Sequence, residues 1–587
     1  MSDRSLFDEV PYNGTETAMP RQQTAGDGTD RALRVGRIRL SALWAAYGDA
    51  LGFISELTDA KGLRRRTGGR ELTMPLEWQR RVGGRGGVNA TLPMGCYSDD
   101  TQLRIAVARA IGPTGFDVEA FAKVELPVWL AYALGGGLST KAAATNLAKT
   151  TTAWFSNTYR GWLDSGGNGA AMRIQPHVWA APNLNEPNTY LLDVLRNSVC
   201  THAHPTALVG ATIHALALAQ SMETGTIPSP AILSKLVDDA GTVPSMLRDD
   251  PQLGELWLTG WEREARRPFG DAWQAARNEI REAISTAEHA VTSSPPTERY
   301  GSVIDALNLL DPDRRGSGTI TVVAAAALTW CDERPAESLA TAANTIGSDT
   351  DTIATMAGAL LGATAADEPP VPVMDSALIA SEAGRMADLA GGGGTIGHRY
   401  PDLLTWTAPK TQADALLSAD DGLQVAGLGR VRRTLGEPIP ARQGPFQWQW
   451  AELEFGQTIL IKRRENLPVD QDREQMGGDT DKRRPHRREV LEMLAAHDTV
   501  QSERSGWRED RPDRGRGSTQ ERAASGPDQR NRPLDLERVI EWVRSEQDNN
   551  ASIGYAIRRV ANEASPEQTA AFLAVLLEML RRPPRDR

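Results

Sequence analysis

A chain of 587 residues exceeds the size of one ordinary domain, and its 40% hydrophobic and 24% charged residues are the balance of a soluble globular protein with ample material for a core. A net charge of −11 argues against a protein that coats nucleic acid or an anionic membrane, so no nucleic-acid partner is expected beyond a local basic contact. The three cysteines, Cys96, Cys200 and Cys331, stand far apart with no CxxC pair, which excludes a disulfide framework and a cysteine zinc site and fits a reducing interior.

Residues 1–34 lack periodicity and read as a disordered leader. No basic-then-apolar signal pattern opens the chain and no uncharged apolar run is long enough for a bilayer, so a cytoplasmic protein without membrane contact is expected. From residue 35 to 400, Ala-rich segments with apolar residues at three- and four-residue steps alternate with Gly/Pro loops. Helices are predicted over Leu40–Leu51, Thr101–Ile111, Val118–Leu134, Thr189–Cys200, Ala207–Ser221, Ala231–Ala240, Phe269–Thr292, Ile320–Thr329, Ala336–Thr345 and Thr350–Ala365. Strand-like alternation is nearly absent there, so this part reads as a compact all-α domain.

After Gly391–Gly394 the composition changes. Residues 401–463 form a mixed segment in which Phe446-Gln447-Trp448-Gln449-Trp450 and Ile459-Leu460-Ile461 carry period-two strand signals. Residues 464–532, which include Lys482-Arg483-Arg484, read as a charged disordered linker. Residues 533–582 hold three amphipathic patterns, a C-terminal helical module that either docks a partner protein or caps the main domain.

Two acidic clusters about 250 residues apart, Ser98-Asp99-Asp100-Thr101 and Ser348-Asp349-Thr350-Asp351-Thr352, each precede a predicted helix. Helix capping accounts for such residues, because Ser, Thr and Asp oxygens accept from free N–H groups and the helix dipole favours negative charge. A cap uses one oxygen, however, and each cluster carries two carboxylates that repel each other. Hard divalent cations among carboxylate and hydroxyl oxygens would neutralise the surplus, the ligand chemistry of magnesium or manganese.

Further motifs keep these clusters company. Gly48-Asp49-Ala50-Leu51-Gly52-Phe53-Ile54-Ser55-Glu56 ends a predicted helix and presents a glutamate in a loop. Gly166-Gly167-Asn168-Gly169-Ala170-Ala171-Met172-Arg173 is a glycine-rich turn whose backbone N–H groups can approach a phosphate. Thr201-His202-Ala203-His204 puts two imidazoles before a helix, and Gly95-Cys96-Tyr97 leads into the first acidic cluster, with Cys96 reading as a small semi-buried residue.

In this order the motifs resemble the ADP-ribosylglycohydrolase family, whose pattern runs GDALGxPxE, TDDT, GNGxxMR, TH and GGDTDTxAxxxGAxxGA. The resemblance covers roughly residues 37–400 and implies an all-helical domain holding two magnesium ions that hydrolyses the bond between ADP-ribose and an acceptor, either a modified protein or a small molecule. By position it makes Ser98, Asp99, Asp100, Asp349, Asp351 and Thr352 metal ligands. It sets Gly167, Asn168, Gly169 and Arg173 around the ribose and diphosphate, puts His202 against the nucleotide, and makes Glu56 a mobile gate and acid or base. Asp100 or Asp351 would then take the proton of the attacking water. Three positions depart from the pattern: Ser98 stands for Thr, Ser348 for Gly, and Gly135-Gly136-Gly137 for Asp-Ile-Gly. The first keeps its hydroxyl, while the last puts in doubt any mechanism that depends on the missing carboxylate, leaving a catalytically inactive ADP-ribose-binding scaffold as the alternative.

Overall fold

Glycines decide how the fold closes. The computed structural model describes residues 25–467 apart from 332, 333, 396, 404 and 421, and further along 536–545, 550–564, 569, 572, 573, 575 and 576. In it the N-terminal helix Ala25–Gly52 runs antiparallel to the helix Thr350–Thr364 at backbone contact. A β-carbon on Gly48 would stand 2.2 Å from the Ala354 carbonyl oxygen, and one on Gly52 would stand 2.3 Å from that of Thr350. From the other helix, β-carbons on Gly358 and Gly362 would stand 2.4 and 2.5 Å from the carbonyls of Trp44 and Leu40. Only residues without side chains allow this approach.

Hydroxyls then stitch the seam. Ser41 Oγ donates to the Ala359 carbonyl, Thr355 Oγ1 to that of Ala45 and Thr350 Oγ1 to that of Gly52, each at 2.8 Å. The end of the N-terminal helix, with Glu56 four residues beyond it, is thereby fixed beside the start of the helix that carries Asp349 and Asp351. The helices Pro205–Thr224 and Gly318–Leu328 pack around the pair and meet each other closely, a β-carbon on Gly210 falling 2.0 Å from the Gly318 carbonyl. Ser376–Ala390 packs against the N-terminal helix and the helix Asp99–Arg109.

The protein is mainly helical, as the periodicity predicts, and several helices fall close to their expected bounds. Among them are Leu191–Val199, Pro230–Asp239, Phe269–Ser293 and Pro335–Asn344. Order starts earlier than expected, with a helix already running at Ala25 inside the segment read as leader. The segment expected as one helix from Val118 to Leu134 is interrupted by a π-helical turn, Phe121–Glu125, and ends at Trp129. Pro127 is the physical reason: it has no N–H for the Lys123 carbonyl, which instead accepts from Trp406 Nε1 at 2.8 Å.

Strands are more plentiful than the sequence suggests. A hairpin, Trp78–Val82 with Val88–Leu92, lies within the helical domain; Val88, Ala90 and Leu92 are buried and Asn89 and Thr91 exposed. The mixed segment forms a five-stranded antiparallel sheet of Leu416–Ala419, Gly422–Val425, Gly429–Pro440, Phe446–Leu453 and Thr458–Arg464, in sequential order. The strand Gly429–Pro440 is mostly exposed and Arg-rich, so it shows no apolar alternation to read.

Of the C-terminal module, Leu536–Ser545 and Asn550–Glu563 are helices that bury Val539, Val543, Ile553, Ala556 and Val560 against each other. They meet the helical domain where Gln252 Nε2 reaches Ser552 Oγ at 3.3 Å and the Tyr555 ring meets Phe155. Most of the expected leader and linker, and much of the third amphipathic segment, lie outside the described residues. No helix of the described residues is long and apolar enough to cross a membrane.

The glycine seam is testable by size alone. Gly48→Ala should lower the unfolding free energy by about 1–3 kcal/mol in urea titrations. Gly301→Ala, where a β-carbon meets nothing within 4 Å, should be neutral or stabilise by up to about 1 kcal/mol.

Candidate active site

Asp49, not Ser98 alone, caps the first acidic cluster. From the N-terminal helix its Oδ1 accepts the Ser98 N–H at 2.9 Å and its Oδ2 the Thr101 N–H at 2.8 Å. Ser98 Oγ accepts the Asp100 N–H at 3.2 Å and donates to Asp100 Oδ2 at 3.1 Å. Asp49 and Ser98 thus supply the cap for the N–H groups of Ser98, Asp100 and Thr101. Asp100 Oδ1 is left buried with no hydrogen-bond partner.

The second cluster begins its helix without a side-chain cap. Asp349 Oδ2 accepts from Asn168 Nδ2 at 2.8 Å, which ties this cluster to the glycine-rich turn, and Asp351 Oδ1 accepts the N–H of Thr352 at 3.0 Å. Ser348, where the family pattern has glycine, donates its hydroxyl to the Thr345 carbonyl at 2.8 Å. Glu56 sits in the turn beyond Gly52, its side chain 16% exposed and its Oε2 held by Arg80 Nη1 at 2.9 Å. Arg66 Nη1 donates to the carbonyls of Ile54 at 2.7 Å and Glu56 at 3.0 Å.

The carboxylates of the two clusters feel one another. Burial, then the charges of Glu56 and Asp49, push Asp99 up to about 7. Asp100 and Asp351 rise well above the usual carboxylate range, first through burial and then through neighbours from both clusters: Asp49, Asp99 and Asp349 act on Asp100, and Glu56, Asp100 and Asp349 on Asp351. Burial also raises Glu56, against the opposing pull of Arg80. A buried cation backs this group: Arg104 donates to Thr101 Oγ1 at 2.7 Å and Thr355 Oγ1 at 2.9 Å, and its charge favours ionised Asp49.

Such a surplus of buried acid is costly without added positive charge. The orphaned Asp100 Oδ1 and the all-oxygen set Ser98, Asp99, Asp100, Asp349, Asp351 and Thr352 fit hard divalent cations. Among the described residues, however, no three His, Cys, Asp or Glu side chains converge on one point as a ready ligand cage. Asp349 and Asp351 are instead engaged with Asn168 and the Thr352 N–H.

The glycine-rich turn runs beside this group. Asn168 N–H donates to the Gly316 carbonyl at 3.0 Å and Gly318 N–H to that of Gly166 at 2.9 Å, so Gly167 lies bridged to Ser317. A β-carbon on Gly169 would stand 3.0 Å from His202 Cε1, and one on Gly167 3.9 Å from His202 Nε2, which puts His202 against the turn. Burial and the nearby Arg173 push its imidazole down to about 3, so it is neutral. His204 is a helix cap, its Nδ1 accepting the Thr206 N–H at 3.2 Å.

Arg173 faces inward. It is 0% exposed, and its guanidinium donates to Asn197 Oδ1 and the carbonyls of Gly169 and Asn197 at 2.9, 2.8 and 3.1 Å, and to Thr201 Oγ1 at 2.7 Å. It thus holds the turn and the Thr201-His202 pair from behind. Gly135 touches the site itself: a β-carbon there would fall 2.2 Å from Asp99 Oδ1. Cys96 is buried, and burial raises its thiol, which does not suit a nucleophile.

Sequence reasoning names the clusters but passes over Asp49, Arg80 and Arg104. Asp49 lies within the first motif, and Arg104 one helical turn after Asp100, so spacing offered a signal for both. Arg80 sits in a strand between Gln79 and Arg81 and offered none.

The ADP-ribosylglycohydrolase family profile matches residues 30–368. The chain belongs to this family, hydrolases that act on ADP-ribosylated substrates. A solved structure titled "ADP-ribosylglycohydrolase-related protein complex" is similar at 20% identity and a TM-score of 0.41, over 61% of this chain and 99% of that one. No curated protein matches.

The inward role of Arg173 predicts a stability effect in the ligand-free protein. Arg173→Lys should lower the unfolding free energy by about 3 kcal/mol, because an ammonium cannot span acceptors that a planar guanidinium reaches together. Urea denaturation measures it; wild-type stability would mean that the bonds to Asn197 and Thr201 contribute little.

Proposed function

We propose that this protein hydrolyses the glycosidic bond between ADP-ribose and an acceptor, removing the modification from a protein side chain or a small molecule in the cytoplasm. Two magnesium ions, or manganese in their place, would be held by Ser98, Asp99, Asp100, Asp349, Asp351 and Thr352. The observation that carries the reading is the buried acid contributed by both clusters, with one Asp100 oxygen unpartnered. When bound, the ions would supply positive charge to the ribose hydroxyls and make water easier to deprotonate.

The chain's own groups divide the remaining work. Gly167, Asn168 and Gly169 offer a turn for the diphosphate and ribose, supported from behind by Arg173. His202, neutral and beside that turn, contacts the nucleotide. Cleavage at the anomeric carbon builds oxocarbenium character and needs a base for water and an acid for the departing group. Asp100 or Asp351 would take the first role once bound cations offset the burial and repulsion that raise both carboxyls. Glu56 suits the second: burial favours its protonated form, and its turn leaves it partly exposed, where a leaving group can reach it. The free cysteines support a reducing compartment.

Purified protein with magnesium should release ADP-ribose from at least one substrate in a panel of ADP-ribosylated arginine, serine and nucleic acid. EDTA should abolish release, and Asp99→Ala combined with Asp349→Ala should reduce it by at least about a hundredfold. Release that persists in EDTA contradicts the proposal. Tight ADP-ribose binding by calorimetry with no turnover on any substrate would instead favour a binding scaffold, the reading that Gly135 in place of a carboxylate supports.

A further inference from the structure

The five-stranded sheet lies beyond the region matched by the family, yet contacts run from it toward the Glu56 turn and the first acidic cluster. The first connection runs through the hairpin. Trp448 is 5% exposed, and its six-membered ring occupies the space beside Gly83, where a β-carbon would fall 2.3 Å from Cζ2. The Arg442 N–H donates to the Gly87 carbonyl at 3.3 Å, so the sheet holds both ends of the hairpin's glycine turn. From this hairpin Arg80 lies over the Phe53 ring at 4.3 Å and holds Glu56. The turn it holds is strained: Leu57, next to Glu56, is 65% exposed with φ 49°.

The second connection runs to the metal-ligand loop and its helix. Asp375 Oδ2 accepts the Thr458 N–H of the sheet and the Tyr97 hydroxyl, each at 2.7 Å, and Tyr97 directly precedes Ser98. At the far end of the helix Asp99–Arg109, Arg109 donates to Gln457 Oε1 at 2.6 Å while paired with buried Glu125 at 2.7 Å. The sheet therefore grips the helix that carries Asp99 and Asp100 at both ends.

We propose that the sheet of residues 416–464 is a built-in brace of the catalytic centre, with Arg80, Trp448, Tyr97 and Asp375 as positioning residues. Trp448 sets the hairpin that holds Arg80 against Glu56, and Asp375 ties Thr458 to the loop that presents Ser98. The roles of Glu56 and Ser98 rest on the function proposed above; the mechanical coupling does not.

Hydrogen exchange on the full-length chain reads that coupling without substrate. Trp448→Ala should speed exchange about tenfold across residues 53–57 and 78–92 while Pro205–Thr224 keeps wild-type protection. Tyr97→Phe, which removes one hydroxyl, should do the same at Ser98 and Thr101. Wild-type protection of these segments in both variants overturns the brace. If Trp448→Ala loosens Pro205–Thr224 as well, Trp448→Phe, which withdraws the ring from Gly83 but keeps an aromatic core residue, decides by the same criterion. With magnesium and a cleavable substrate, both variants should lose about tenfold in kcat with KM within about twofold, and Arg80→Lys should recover part of what Arg80→Met loses. Unchanged kcat also overturns the brace. Altered exchange in a protein whose wild type releases no ADP-ribose would sink the hydrolase reading and leave the brace standing.

Discussion

The antiparallel contact of Ala25–Gly52 with Thr350–Thr364 is the constraint on which the site depends. Glycines on both helices let carbonyl oxygens of one approach α-carbons of the other, and three hydroxyl-to-carbonyl bonds fix the sliding register. A shift along this seam would carry Glu56 and Asp49 away from Asp349 and Asp351. The same N-terminal helix caps the first acidic cluster through Asp49, so it connects to both clusters. Helix contacts made through backbone rather than side chains have little room to adjust, which suits a site whose groups lie far apart in the sequence.

Electrostatically the site works against the fold around it. Burying Asp49, Glu56, Asp99, Asp100 and Asp351 raises the proton affinity of each, and the nearby cations Arg80 and Arg104 offset only part of the repulsion. Close packing sustains the arrangement: Ile353, Ala354, Met356 and Ala357 beyond the second cluster are completely buried, as are Leu103, Ala106 and Val107 beyond the first. Apolar burial at tens of calories per Å² over such a core can hold a few unfavourable charges in place.

Arrangement around the site follows a second rule, that the groups proposed to meet a ligand are held by groups set behind them. Arg173 is fully occupied by Gly169, Asn197 and Thr201, and so fixes the turn and the imidazole of His202. Arg66 and Arg80 hold the backbone and the carboxylate of Glu56 separately. Fixing both parts limits a loop that would otherwise swing freely, and the strain at Leu57 persists because these contacts maintain it.

The sequence by itself determined the mainly helical architecture, most helix positions, the two acidic clusters and the glycine-rich turn, because apolar periodicity and short motifs are local properties of the chain. Tertiary structure decided which of those residues face the site and which stand behind it. Arg173 reads as a ligand contact in its motif but turns inward because its acceptors, Asn197 and Thr201, lie on a later segment. Asp49 stands in a legible motif, but the partners that Asp49 and Asp375 hold lie 49 and 278 residues away, and no spacing rule reaches that far. The exposed, Arg-rich strand Gly429–Pro440 has no buried face pattern to announce it, and the alternation of the hairpin strand Val88–Leu92 spans only five residues. What remained hidden was pairing between distant segments, which depends on how the helices close around the glycine seam.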